Sequence, residues 1–124
     1  MSQLLEDCQS FIEANVDTTA YEWRYGRIWP EDSENDKAFI MIREMGEGAS
    51  DIHQQQINLL MMVSHPQLVT AEATAISIAR LFRVTASPSS FVRIDVMGGT
   101  NGPFLLENQK PFFEINLNAI VENR

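Results

Sequence analysis

The sequence predicts an α+β fold, in which two helices cover one face of a mainly antiparallel five-stranded sheet. Two segments repeat apolar residues at helical spacing, and five others alternate polar and apolar residues or run apolar, as strands do. The predicted order of elements is α-β-β-β-α-β-β. A chain of 124 residues is long enough to bury one core, so we expect a single domain over residues 1–124.

The N-terminal part predicts a helix followed by a strand. Residues 3–15 form an amphipathic pattern, with Ser2 as a candidate N-cap. The apolar stripe of this helix is Leu4, Leu5, Cys8, Phe11 and Ile12. Aromatic residues alternate with polar ones over residues 21–25, which is typical of a half-buried strand that Pro30 should end. The acidic residues 31–36 should form a solvated loop.

The central part predicts a hairpin and a second helix. Residues 37–45 form the second strand, residues 46–51 supply turn chemistry, and a third strand runs from Ile52 to Val63. We expect these strands to pair antiparallel. Residues 67–83 then have helical spacing. The face expected to pack on the sheet is Val69, Ala73, Ile76, Ala79 and Phe82.

The C-terminal part predicts two strands with a long connection. The fourth strand is Phe91–Met97, the connection runs from Gly98 to Lys110, and the last strand runs from Pro111 to Val121. Connections of this length are often functional. Its apolar residues are Phe104, Leu105 and Leu106. They either fold back onto the domain or anchor a partner, and we favour the partner contact.

The sheet face away from the helices should mix amides with exposed aliphatic residues. Its predicted members are Gln54, Gln56, Asn58, Leu60 and Met62 in the third strand and Glu114, Asn116, Asn118 and Ile120 in the fifth. Such a face is either a subunit interface or ordinary solvent-exposed surface. The residues that we expect to contact a partner or a neighbouring subunit are Gly98, Gly99, Asn101, Phe104, Leu105, Leu106, Asn116 and Asn118.

Charge and composition exclude several classes of function. The net charge of −8 and pI near 4.6 oppose tight nucleic-acid binding, which needs clustered Lys and Arg. Residues 1–62 contain 12 acids and 4 bases, whereas residues 63–124 contain 5 of each, so part of the surface should be strongly negative. No apolar run reaches the ~20 residues of a membrane span. The first residues lack the basic region of a signal peptide, so we expect a cytosolic protein without membrane contact.

The residues that could perform chemistry do not form a recognisable catalytic pattern. His53 and His65 belong to no triad or ligand motif, and Cys8 lies on an apolar stripe, where a buried thiol is inert. An enzyme or ligand-binding domain would have to bring the histidines together with Arg93 and Asp95. That pair is more simply a charge pair on one strand. We therefore expect no catalytic residues.

Two further segments resemble binding loops only in part. Asp32–Asp36 begins like a calcium loop, but Lys37 stands where that loop needs glycine and Arg43 where it needs glutamate. Gly98–Gly102 follows a strand, as phosphate-binding loops do, but another strand follows instead of a helix. We therefore expect neither a metal site nor a cofactor.

Two passages resemble the tail terminator (tail completion) proteins of long-tailed bacteriophages and prophages. One is Gln54–Ser64 with the alanine-rich helix that follows, and the other is Gly98–Pro103 with Lys110–Asn118, a Gly/Pro loop before a polar-Pro-aromatic entry into the last strand. The resemblance implies a structural protein that forms a ring, commonly of six subunits, on the head-proximal end of the tail tube. Such a ring stops tube growth and offers the surface to which the head attaches.

The same resemblance implies the partners and the location. The partners are other copies of the chain, the tail tube protein and the head-tail connector protein. The location is the host cytoplasm during assembly and then the virion tail. Two alternatives stay open: another neck or head-completion protein, and, from a different class, a small α+β ligand-binding domain or enzyme.

Overall fold

The computed structural model describes residues 3–25, 37–50, 54–85, 92–106 and 109–122. Its elements are α1 (Gln3–Asn15), β1 (Tyr21–Tyr25), β2 (Ala38–Ser50), β3 (Gln54–Ser64), α2 (Leu68–Val84), β4 (Val92–Leu105) and β5 (Pro111–Glu122). This order and the α+β class confirm the prediction. The expectations placed on Ser2, Pro30, the acidic residues 31–36 and His53 lie outside the described residues.

The five strands form one sheet in the order β1-β2-β3-β5-β4. β1 pairs parallel with β2, and every other pair is antiparallel, including the predicted β2–β3 hairpin. The last strand of the chain therefore lies inside the sheet, between β3 and β4. β1 and β4 are left as its two edges.

One face of the sheet packs against both helices. The alternation of each strand directs every second side chain to this side. Over Leu59–Ser64 of β3 and Pro111–Ala119 of β5 these side chains are apolar. The buried residues of β3 and β5 on this face are Leu59, Met61, Val63, Phe113, Ile115, Leu117 and Ala119. The predicted α1 stripe is confirmed, because four of its members are buried and Phe11 packs its ring 5.6 Å from that of Phe82 in α2.

The predicted packing face of α2 is largely wrong. The buried residues of α2 are Ala71, Ala75, Ile78, Ala79 and Phe82, so only two of the five predicted members are correct. Val69 is 81% exposed and Ile76 is 43% exposed. α2 has apolar residues on most of its surface, so spacing alone does not select a face. The small residues Ala71 and Ala75 allow the helix to lie close to the sheet, and this closeness decides the face.

The long connection predicted after Met97 is wrong for most of its length, because β4 continues to Leu105. The pairing of β4 with β5 shifts register twice, between Val96 and Thr100 and between Asn101 and Phe104. The glycines that suggested a loop lie at these irregularities and have positive φ, 79° at Gly98 and 138° at Gly102.

Glycine is required at position 102. A Cβ there would approach Phe113 Cδ1 to 2.9 Å and the Phe112 carbonyl oxygen to 3.0 Å.

β2 is likewise longer than predicted and continues through the expected turn to Ser50, with register shifts after Glu44 and after Glu47. Turn residues in this protein therefore mark bulges within strands as well as ends of strands.

The opposite face of the sheet holds a second, smaller apolar cluster at one end. Its members are Phe39, Met41, Met62, Leu106 and Phe112. The expectation that Leu60 and Met62 are exposed aliphatic residues is wrong, since they are 5% and 0% exposed. Leu106 is also buried, so in this chain it folds back onto the domain.

Lys110 fixes the start of β5 beside this second cluster. Its side chain is buried, its Nζ donates a hydrogen bond of 2.6 Å to the Lys37 carbonyl oxygen, and it lies 5.0 Å from the centre of the Phe39 ring. The Arg24 guanidinium lies 4.4 Å from the same ring. Two cations therefore pack against one aromatic ring at this end of the face.

Candidate assembly surfaces

An amide patch lies on the helix-free face, at the other end from the apolar cluster. We define it by Gln56, Asn58, Asn116 and Asn118. Asn58 of β3 pairs directly with Asn118 of β5, and Asn116 pairs with Leu60. Asn58 and Asn116 are exposed. Amides supply donors and acceptors without a charge, so they cost less to desolvate in an interface than carboxylates do.

The β4 edge is the second surface. Among the described strands β4 pairs with β5 alone, so the outer side of this 14-residue strand has no partner strand. The predicted contact residues Gly98, Gly99 and Asn101 are all exposed on this strand. At its end Phe104 is 42% exposed and Leu105 is 60% exposed.

The structure places most of the predicted contact residues on two neighbouring strands. Asn118 on β5 pairs with Asp95 on β4, and Phe104 pairs with Phe112, with ring centres 5.4 Å apart. The amide patch and the β4 edge are therefore adjacent surfaces. Leu106 is the exception, because its side chain is already buried against the chain itself.

A groove that was not anticipated from the sequence lies between α2 and β4. We call it the arginine groove, and it is lined by Ile76, Ala79, Arg80, Arg83, Gly99 and Thr100. The Arg83 Nη2 donates a hydrogen bond of 2.8 Å to the Gly98 carbonyl oxygen, so the first irregularity of β4 meets the last turn of α2 here. Arg80 is exposed beside it. The negative end of the helix dipole favours both cations at this position.

The sequence contained one signal for this groove, the spacing of three residues between Arg80 and Arg83, which places both on one side of a helix. The sequence contained no signal for the other side of the groove, which is formed by β4. The groove exists because β4 continues past Met97, and the sequence indicated a loop there.

The opposite edge of the molecule is acidic. α1, β1 and the turn between them contain five acids, Glu6, Asp7, Glu13, Asp17 and Glu22, and one base, Arg24. α1 lies near β1, since Glu13 and Trp23 line one depression. Burial raises the pKa of Tyr25 in β1 to about 12, with smaller contributions from Glu13, Cys8 and Glu6 of α1. Thr19 donates hydrogen bonds to Asp17 from its backbone and its hydroxyl, which lowers the pKa of that carboxyl. The Asp17 carboxylate is therefore ionised at neutral pH.

Of the described residues considered for an enzyme site, His65 lies far from Arg93 and Asp95. His65 lies beside Pro111 at one end of β5, with its Nδ1 accepting a hydrogen bond of 3.0 Å from the Gln67 N–H. Arg93 pairs with Ile120 near the other end and lies 3.3 Å from Asp95 as the expected charge pair. Pro111 and Ile120 are nine residues apart along β5, so His65 and Arg93 are separated by about 30 Å.

Cys8 has the environment of a structural thiol. It is fully buried in the main core, and burial, with a smaller contribution from Asp7, raises its pKa to about 12. A thiol with such a pKa is not a nucleophile at neutral pH. Within the described ranges, no group of three potential ligand residues could hold a metal ion, and no helix is long and apolar enough to cross a membrane.

The fold and these surfaces define a structural assembly protein: exposed strand edges, a neutral amide patch and opposite charges on opposite sides. Over residues 1–123 the sequence matches the family model described as phage tail termination protein, and the chain belongs to that family. The resemblance found in the sequence is thereby confirmed. No curated protein shows a significant match to the chain. The protein is thus a structural component of a bacteriophage tail, with a role in tail termination.

Proposed function

We propose that the chain forms a closed ring, of six subunits, on the head-proximal end of the tail tube. The ring ends tube polymerisation by covering the surface to which the next tube subunit would add, and it then presents the surface to which the head attaches. Its partners are other copies of the chain, the tail tube protein and the head-tail connector protein. Assembly takes place in the host cytoplasm, before the protein becomes part of the virion tail.

The observation that supports a ring is the difference between the two edges of the sheet. β1 is short and lies beside the acids of α1, whereas β4 is long and lies beside the arginines of α2. A subunit whose two sides differ makes heterologous contacts, and these close into a ring when the rotation between neighbours allows it. A subunit that joined through one self-complementary patch would stop at a dimer. The number six comes from the family resemblance.

The amide patch and the exposed end of β4 are the surfaces that we assign to the neighbours above and below the ring. Phe104 and Leu105 offer apolar area that a domain of this size has little reason to display. Asn116 and Asn118 offer hydrogen bonds without a charge to desolvate. The net charge of −8 makes tight binding to DNA unfavourable, even for a ring through which DNA passes.

The test is polymerisation of the tube protein from the same phage, with and without the chain, followed by electron microscopy. With the chain present we expect tubes of limited length, each with added density at one end only. An unrelated acidic protein of similar charge is the control, and it should leave the lengths unchanged. Tubes that grow equally long with and without the chain, or that bind it along their whole length, would contradict the proposal.

A further inference from the structure

Charge is divided between the two edges of this molecule. Residues 3–25, which form α1 and β1, contain five acids and one arginine, a net charge of −4. Residues 68–106, which include α2 and β4, contain three arginines and two acids, a net charge of +1. Because β1 and β4 are the outermost strands, the two charge groups belong to opposite ends of the strand order.

The arginine groove has the features of a docking site for acidic side chains. Ile76 and Ala79 give it an apolar lining, and none of the described residues that line it is a carboxylate. The hydrogen bond from Arg83 to the Gly98 carbonyl oxygen holds one guanidinium at the groove before a partner arrives. A cation that is already held in place loses less entropy on binding than a mobile one. Arg80 is exposed and adds the second positive charge.

The acidic edge offers charge that complements the arginine groove. Glu13 and Asp17 lie together at the end of α1 and the turn into β1, around a shallow depression that Thr19 and Trp23 also line. Both carboxylates are exposed. The bonds from Thr19 hold the Asp17 carboxylate in one orientation. On each side one charged group is held by hydrogen bonds within the chain, Asp17 on the acidic edge and Arg83 in the groove.

We propose that the acidic edge of one copy, through Glu13 and Asp17, docks into the arginine groove of a second copy, through Arg80 and Arg83. The partner is another copy of this chain because both halves of the contact are present on every subunit, at opposite edges. Like edges repel each other, so the contact orients subunits head to tail and disfavours a symmetric dimer. The inference rests on the proposed ring, and it names the contact that builds it.

A charge-exchange experiment tests this contact. Arg80→Glu and Glu13→Lys are made separately and together, and Glu72→Lys, an exposed acid of α2 outside the groove, is the matched control. The self-association constant of the free chain is measured by sedimentation at one fixed, low ionic strength. Each single exchange should lower it about tenfold or more, and the combination should return it to within about threefold of the original. The control should leave it unchanged, and melting curves should show all four variants folded.

The outcomes separate the contact from the function. Three results for the self-association constant would each overturn the contact. The single exchanges could leave it unchanged, the combined variant could fail to recover it, or Glu72→Lys could lower it as much as Glu13→Lys does. Tubes that the Arg80→Glu variant terminates as well as the unaltered chain does would also overturn it, while leaving the proposed function intact. An unaltered chain that fails to terminate tubes would overturn the proposed function, and the association constants would still decide the contact.

Discussion

The two faces of the sheet differ in what they do for the molecule. The helix-covered face is apolar from Ile57 to Val63 of β3 and along β5, and it packs against α1 and α2. The other face has a small apolar cluster at one end and the amide patch at the other. The first face therefore stabilises the fold, and much of the second can be altered without unfolding it. This division leaves the helix-free face and the sheet edges available for assembly.

The largest expected effect lies on the helix-covered face. Phe82 is 1% exposed in the main core and packs against Phe11, so Phe82→Ala removes a buried ring and leaves a cavity. We expect the free energy of unfolding to fall by about 3–5 kcal/mol, as measured by denaturant titration. Phe104→Ala is the matched control, because the same atoms are removed from a ring that is 42% exposed. Equal losses for the two variants would contradict the division of roles.

A smaller effect on stability is expected at the end of β4. Phe104→Ser with Leu105→Ser removes exposed apolar area and the contact of Phe104 with Phe112, so the cost should be about 1 kcal/mol. The effect on assembly should be large, with tails of uncontrolled length that do not join heads. A double variant that unfolds would show that these residues belong to the core.

The smallest effect on stability is expected in the amide patch. Asn116 is exposed and its neighbour Asn118 is half-buried, so replacing both with serine should change the free energy of unfolding by no more than about 0.5 kcal/mol. Termination of tubes should nevertheless weaken, as judged from tube lengths in the electron microscope. Normal termination by this variant would remove the patch from the assembly surfaces and return it to ordinary solvent-exposed surface.

Sequence patterns predicted the architecture well because the two-residue period of strands and the 3.6-residue period of helices are easily told apart in this chain. The strand alternation and the α1 stripe around Cys8 gave the correct order, the correct class and the correct helix-free face. The family resemblance rested on passages in β3, α2, β4 and β5, and the family model matches residues 1–123. Of the candidate contacts on β4 and β5, Leu106 is buried, Asn118 is half-buried and the others are exposed. That they contact a partner stays a prediction.

The errors have physical causes that the sequence does not express. α2 is apolar around much of its circumference, and the approach of Ala71 and Ala75 to the sheet decides its orientation. Gly98 and Gly102 are compatible with a loop or with bulges, and pairing with β5 decides in favour of bulges. The arginine groove depends on that outcome, so it could not be predicted from local sequence.

Hydrogen–deuterium exchange tests the central claim most directly, that assembly uses the edges and leaves the helix-covered core as it is. Exchange is compared between the free chain and the chain bound to tubes. Backbone amides on the outer side of β4 have no partner strand among the described residues, so they should gain protection on assembly, together with residues 3–25. Amides of β3, already paired on both sides, should change little. The account would be contradicted if protection rose in every strand of the sheet. It would also be contradicted if the amides of β4 gained no protection when the chain is bound to terminated tubes.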